Sequence, residues 1–179
     1  MAPAAPAWHN PHVDIREVRP AEYTALGDLT VDSYLRGGFL IGGLQDGYTP
    51  RLRDVAERAA TATVLVAVEG EGEGDRLLGG VTIAFQGSPL MELGGDGDAE
   101  IRMLAVAPEA AGKGAGSALA AACVERARAE AGTKRIVLCS QREMTTAHRI
   151  YRRLGFEREP SLDWEPLPGV PLWAFSLAL

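Results

Sequence analysis

Little in this chain offers covalent bracing or a basic surface. Its two cysteines, Cys123 and Cys139, form no CxxC pair and are too few for a disulfide scaffold, which points to a reducing, cytoplasmic setting. Basic residues are the minority, Lys+Arg 18 against Asp+Glu 24. The resulting net charge of −6 opposes the counterion displacement on which sequence-independent nucleic-acid binding rests. No apolar run approaches the roughly 18 residues a membrane span needs, so no membrane partner is expected. Met1–Pro11 has neither a basic residue nor an apolar core and does not read as a secretory signal. His9, His12 and His148 have no cysteine or carboxylate at ligand spacing, so no metal site is expected. What remains is 179 residues, 46% hydrophobic and 23% charged, the composition of a folded chain of about one domain. The Ala- and Pro-rich segment 1–12 reads as a flexible leader, and 13–179 as one folded domain.

Hydropathy patterning supplies the elements. Val13–Val18 alternates apolar and charged residues as a half-buried strand does. Pro20 opens a helix to about Tyr34, since a proline loses nothing at a first helical position. A glycine-rich loop follows, then a helix over Tyr48–Ala60. Thr63–Glu69 and Leu77–Phe85 read as an antiparallel pair joined by an acidic turn, Glu71–Asp75. Gln86–Asp98 is a glycine-rich loop with Glu92, Asp96 and Asp98 and no basic residue to offset them. Ala99–Val106 is a strand, Ser117–Ala131 a helix ended by Gly132, Lys134–Cys139 a strand, Glu143–Leu154 a helix and Val170–Leu179 a closing strand. The strand–helix–strand unit from Ala99 to Cys139 requires a parallel pair. The fold class is therefore α/β (α+β): a mixed, mostly antiparallel central sheet of about six or seven strands flanked by about four helices.

One segment carries chemistry. Strand, Pro108, the run Gly112-Lys113-Gly114-Ala115-Gly116-Ser117 and a helix succeed one another within about twenty residues. Glycines let a backbone approach a ligand closely, and a helix start offers unpaired N–H groups and a positive dipole end. The pattern predicts an anionic ligand of pyrophosphate type. It is not a P-loop, because Lys113 precedes its glycine, and not a dinucleotide fingerprint, because the third glycine comes one residue early.

At these residues the sequence resembles the GCN5-related N-acetyltransferase (GNAT) superfamily. The family's signature Gln/Arg-x-x-Gly-x-Gly/Ala falls on Ala111–Gly116, with Ala111 where Gln or Arg is usual. The later run Ala147-His-Arg-Ile-Tyr151-Arg-Arg-Leu-Gly155-Phe156 is similar to the family's A-x-x-x-Y-x-x-x-G-F ending, with Met144 where Asn is frequent. The resemblance implies acetyl-CoA as co-substrate, without a metal, and direct attack by an amine in a ternary complex. The alternative is a non-catalytic acyl-CoA-binding or sensor module of the same fold.

The resemblance further implies that Leu104, Ala105 and Val106 splay from the neighbouring strand and pair with the pantetheine arm. One of their N–H groups would face the thioester oxygen, where negative charge grows. The amides of Gly112, Lys113, Gly114, Ala115, Gly116 and Ser117 would hold the pyrophosphate. Glu100 is the candidate base. On an alternating strand it shares a face with Leu104 and Val106, roughly 13 Å from Leu104 at about 3.3 Å per residue, and would act through water. Otherwise it is a surface carboxylate or the partner of Arg102; Glu92 and Asp98 are further candidates in the same acidic stretch. Periodicity alone places Tyr151 on the apolar stripe of its helix, whereas the resemblance implies a general acid for the departing thiolate. His148, beside Arg149, is expected on an exposed helix face, and Cys123 and Cys139 are expected to be filler. The acceptor would be a small-molecule or peptide amine, and the acidic loop hints at a cationic one. The apolar last strand could complete the sheet of a homodimer.

Overall fold

The computed structural model describes residues 12–70 and 74–179; most of the leader, His9 and the centre of the acidic turn (71–73) lie outside them. Among the described residues seven strands form one sheet in the order β1-β2-β3-β4-β5-β7-β6. They are β1 (Asp14–Glu17), β2 (Thr63–Glu69), β3 (Arg76–Ala84), β4 (Asp98–Val106), β5 (Arg135–Gln141), β6 (Glu157–Arg158) and β7 (Leu172–Ala178). All neighbours are antiparallel except β4 and β5, the pair joined by a helical crossover. The mixed, mostly antiparallel sheet is the fold class the patterning implied.

Among the described residues five α-helices accompany the sheet: α1 (Tyr23–Arg36), α2 (Thr49–Arg53), α3 (Val55–Thr61), α4 (Ala115–Ala129) and α5 (Thr145–Arg153). The single helix expected over Tyr48–Ala60 is in fact α2 and α3. Asp54 leaves the helical region (φ −79, ψ 77) and its side chain accepts the Glu57 N–H at 2.9 Å, so one residue both ends the first helix and caps the second. Pro20 opens a 3-10 turn, Pro20–Glu22, and the α-helix proper begins at Tyr23.

The two faces bury different clusters. α4 and α5 cover one face with Leu119, Cys123, Tyr151 and Phe156 against Ile101, Leu138 and Phe175. On the other, α1 and α3 pack Leu26 and Val55 against Val64 and Val66, and α1 and α2 pack Val31 and Leu52 against Met103. The last strand is not the sheet edge. β7 lies between β5 and the two-residue β6, and Trp164 bridges to Leu172 beyond it. The edge expected to extend a dimer's sheet is already paired there.

Candidate functional site

Parallel pairing of β4 with β5 runs from Asp98↔Arg135 to Ile101↔Leu138 and stops, although β4 continues to Val106 and β5 to Gln141. The strands therefore diverge, and the side of Arg102–Val106 facing β5 has no strand partner among the described residues. A β-bulge sits at the same place. Gly80 pairs with Ala105 and Thr82 with Arg102, so Val81 faces both Met103 and Leu104. Met103 takes φ +54, the sole positive φ of a non-glycine among the described residues, a strained conformation that marks functional segments. Gly79 meets the strand closely: a Cβ there would collide with the Ala105 carbonyl oxygen.

The bulge also corrects the expected facing. Two consecutive residues opposite one reverse the alternation. Leu104 and Val106 therefore pack with Ala99 and Ile101 on the α4–α5 face, whereas Arg102 and Met103 line a cavity on the opposite face. Glu100 does not share a face with Leu104 and Val106. A bulge has no periodic signature, so strict alternation could not reveal it.

The glycine turn opens beside this gap. Gly112 (φ +80) and Gly114 (φ +87) hold left-handed conformations, and Gly114 is the N-cap of α4. The N–H groups of Gly112, Gly114, Ala115, Gly116 and Ser117 find no acceptor among the described residues, so a row of donors faces outward at the positive end of a fifteen-residue helix. A Cβ on Gly112 would meet nothing within 4 Å, as an open cradle requires. Gly116 differs: its Cβ would stand 3.1 Å from Ile150 Cδ1 and 3.4 Å from Val106 Cγ2, so this glycine also lets α4 approach β4 and α5. The Lys113 ammonium lies 3.3 Å from both Glu69 carboxylate oxygens.

Tyr151 projects from α5 into the aromatic core, its ring 5.9 Å from those of Phe156 and Phe175. Burial raises its phenol above the ordinary value, with smaller contributions from Cys123 and Cys139. Its hydroxyl makes no hydrogen bond among the described residues.

On the α1–α2 face the gap opens into a cavity of about 180 Å³, walled by Tyr34, Phe39, Tyr48, Trp164 and Leu167 and floored by Ile101, Met103, Cys139 and Ser140. Burial raises the Tyr34 and Tyr48 phenols and pushes the Cys139 thiol up to about 11, so all three stay protonated near neutrality.

Two carboxylates line this cavity, Asp46 and Glu92, and the one paired with Arg102 of β4 is Glu92. Its oxygens lie 3.0 Å from Arg51 Nη1 and 2.9 Å from Arg102 Nη2. Burial opposes its charge, but the two guanidinium groups outweigh it and leave its pKa below the usual value. Glu100, by contrast, is 1% exposed, and its Oε2 accepts the N–H groups of Glu92, Leu93 and Gly94 at 2.8, 2.9 and 3.2 Å. It fastens the loop that presents Glu92. Asp98 is bidentate with Arg135, at 2.8 and 2.7 Å. Glu92 and Asp98 are therefore paired with arginines from α2, β4 and β5, while Asp96 accepts from the Gln86 amide, so much of the negative charge read from the loop's composition is already compensated.

His148 is not on an exposed face. It is 3% exposed, its Nε2 lies 3.1 Å from Ser140 Oγ, and its ring stacks on Trp173 at 5.8 Å. The adjacent Arg149 hid this. Tyr34, Tyr48 and Trp164 come from loops and helix ends without a motif, and nothing in the sequence marked them.

The family model described as acetyltransferase (GNAT) family matches residues 21–156. Solved structures with the same fold include a GCN5-related N-acetyltransferase from Kribbella flavida, with 20% identity, a TM-score of 0.67 and coverage of 94% of this chain and 99% of that one. YncA of Salmonella typhimurium, solved with its cofactor acetyl-CoA, is 21% identical with a TM-score of 0.65 and 94% of each chain covered. A spermidine N-acetyltransferase from Vibrio cholerae, in complex with CoA and spermine, is 17% identical with a TM-score of 0.64, covering 94% and 96%. No curated protein matches the chain.

Proposed function

The chain belongs to the GNAT acetyltransferase family, and on that premise we propose that it transfers an acetyl group from acetyl-CoA to an amine by direct attack in a ternary complex. The observation that carries this reading is the combination of a splayed β4–β5 gap with a row of unpaired amides at the start of α4. The donor set suits a diphosphate: the amides of Gly112, Gly114, Ala115, Gly116 and Ser117 surround the open face of Gly112, with the helix dipole behind them. Lys113 flanks the same turn. The free backbone side of Leu104, Ala105 and Val106 suits an extended amide-bearing arm, which would add to the sheet where β5 has departed. When bound, the thioester supplies an activated acetyl carbon.

This chain's residues would then do four things. The turn and strand hold the donor, so that its reactive end lies in the gap beside Tyr151. A β4 N–H near the bulge faces the carbonyl oxygen as negative charge grows there. The cavity positions the acceptor amine, which alone is worth several kcal/mol of barrier, of the order of 7–11 for ideal alignment. Protons then move: the amine nitrogen bonds to the acetyl carbon as the carbon–sulfur bond breaks, one proton leaves the nitrogen and one reaches the sulfur. Tyr151 is the donor of the second, since a phenol whose pKa is raised by burial keeps its proton until a thiolate appears. The first leaves by water past Glu92, with Glu100 holding that loop in place.

Calorimetry with CoA and thiol release from acetyl-CoA across a panel of amines test the proposal. Saturable CoA binding with amine-dependent thiol release is expected. Binding without release from any amine would favour the sensor module, and no binding would end the reading.

A further inference from the structure

Resting on the acetyl-transfer reading, we propose that the acceptor is a primary amine carried on a single flat apolar ring, and not a polycation. Three independent features of the cavity lead there. The first is size and wall chemistry. About 180 Å³ compares with the roughly 150 Å³ of an apolar cavity that holds benzene, leaving room for one ring and a short arm. Tyr34 meets Phe39 edge-on with centroids 6.3 Å apart and meets Tyr48 at 6.4 Å, forming an aromatic corner with Trp164 among the other walls. Such walls favour another aromatic ring by edge and offset contacts.

The second is charge. A polyamine needs carboxylates for the ammonium groups that do not react. The two lining this cavity, Asp46 and Glu92, are engaged. Glu92 holds two guanidinium groups, and Asp46 accepts the N–H groups of Tyr48 at 2.9 Å and Gly42 at 3.3 Å. Arg51 and Arg102 line the cavity as well and are paired with Glu92, so Asp46 is the sole lining carboxylate without a guanidinium partner, too little to hold the several ammonium groups of a polycation.

The third is the rim. Of the five large hydrophobics left exposed among the described residues, Ile41 (69%), Trp164 (38%) and Leu167 (53%) border this one cavity, brought there by two different loops. An apolar rim around an aromatic pocket has a reason if the body it admits is itself apolar. The ring would lie toward Trp164 and Leu167, with the amine toward the floor at Met103 and Ser140, next to the gap.

The test compares 2-phenylethylamine with spermidine as acceptors, with CoA binding measured alongside, in the wild type and in Leu167→Asp. We expect phenylethylamine to exceed spermidine in kcat/KM by about tenfold or more, the scale on which apolar pockets discriminate. Leu167→Asp should raise the phenylethylamine KM several-fold with kcat and CoA affinity kept. Equal or better use of spermidine, use of neither amine while CoA still binds, or an unchanged KM in Leu167→Asp overturns this inference alone. A protein that does not bind CoA overturns the acetyl-transfer reading beneath it.

Discussion

Ile101 and Leu138 form the last pair of the parallel β4–β5 ladder, and two residues beyond Ile101 the chain turns through the positive φ of Met103. Divergence and bulge thus occupy the same stretch of β4. One consequence is that the strand offers its free backbone on one side of the sheet's gap and its side chains, Arg102 and Met103, to the cavity on the α1–α2 face. In the proposed reading, donor and acceptor subsites would meet across this single strand.

The glycines of the turn should separate by role. Gly112→Ala places a methyl in open space but at φ +80, which costs about 1–2 kcal/mol of stability and tilts the amides of the cradle. Gly116→Val drives branched methyls toward Ile150 and Val106, an overpacking worth about 1–3 kcal/mol. Thermal melts with and without CoA tell them apart. The CoA-induced rise in Tm should shrink in Gly112→Ala out of proportion to its lower starting Tm. Retention of the full rise would mean that the turn does not hold the phosphates.

Tyr151→Phe removes a hydroxyl that bonds to nothing among the described residues and leaves the ring contacts with Phe156 and Phe175 in place. Stability should change by less than about 1 kcal/mol. CoA affinity should hold, while kcat falls by about 10²-fold, within the usual range for a lost acid catalyst. An unaltered kcat would return Tyr151 to the core role that its helical stripe alone suggests.

How far the sequence could be read divides along a physical line. The sheet, its parallel pair and the glycine turn before α4 were legible because periodicity, Pro108 and the glycine spacing are local signals. The facing of Glu100, the burial of His148 and the aromatic cavity were not. The first depends on a bulge that shifts alternation by one residue, the second on Ser140 and Trp173 arriving from distant strands, and the third on loops that contribute one side chain each. The Asp54 break was hidden for a different reason: an aspartate within a helical stretch reads as a polar face until its cap bond to Glu57 is seen.

Glu100 and Glu92 should fail differently. Glu100→Gln keeps the shape but weakens acceptance from three backbone N–H groups, for a loss of about 1–3 kcal/mol. It should lower Tm and raise the acceptor KM, and leave the acid limb of the kcat/KM–pH profile where it was. Glu92→Gln should cost less stability, since its ion pairs are partly exposed, yet move or abolish that limb. An acid limb that vanishes in Glu100→Gln and persists in Glu92→Gln would make Glu100 itself the base.

His148 gives the protein a pH dependence of its own. Burial first, and then the nearby Arg152, hold its pKa below the ordinary 6.5; a hydrogen bond with the Gln141 backbone opposes them, and Arg158 and Glu143 add lesser effects of opposite sign. Above 6.5 the folded and unfolded imidazoles are both neutral and stability is independent of this group. As pH falls below 6.5 the unfolded chain takes up the proton first, and stability declines by at most about 1.4 kcal/mol per pH unit until the folded imidazole also titrates. Glu22, Glu92, Asp98 and Asp163 also have lowered pKa values, but from ordinary values of 4.5 or 3.8. Their contribution is intact through this window and is lost only in stronger acid. Melts between pH 7 and pH 5 should therefore show a fall in Tm that His148→Gln flattens, the amide retaining a partner for Ser140. Parallel declines in the two proteins would assign the acid sensitivity elsewhere.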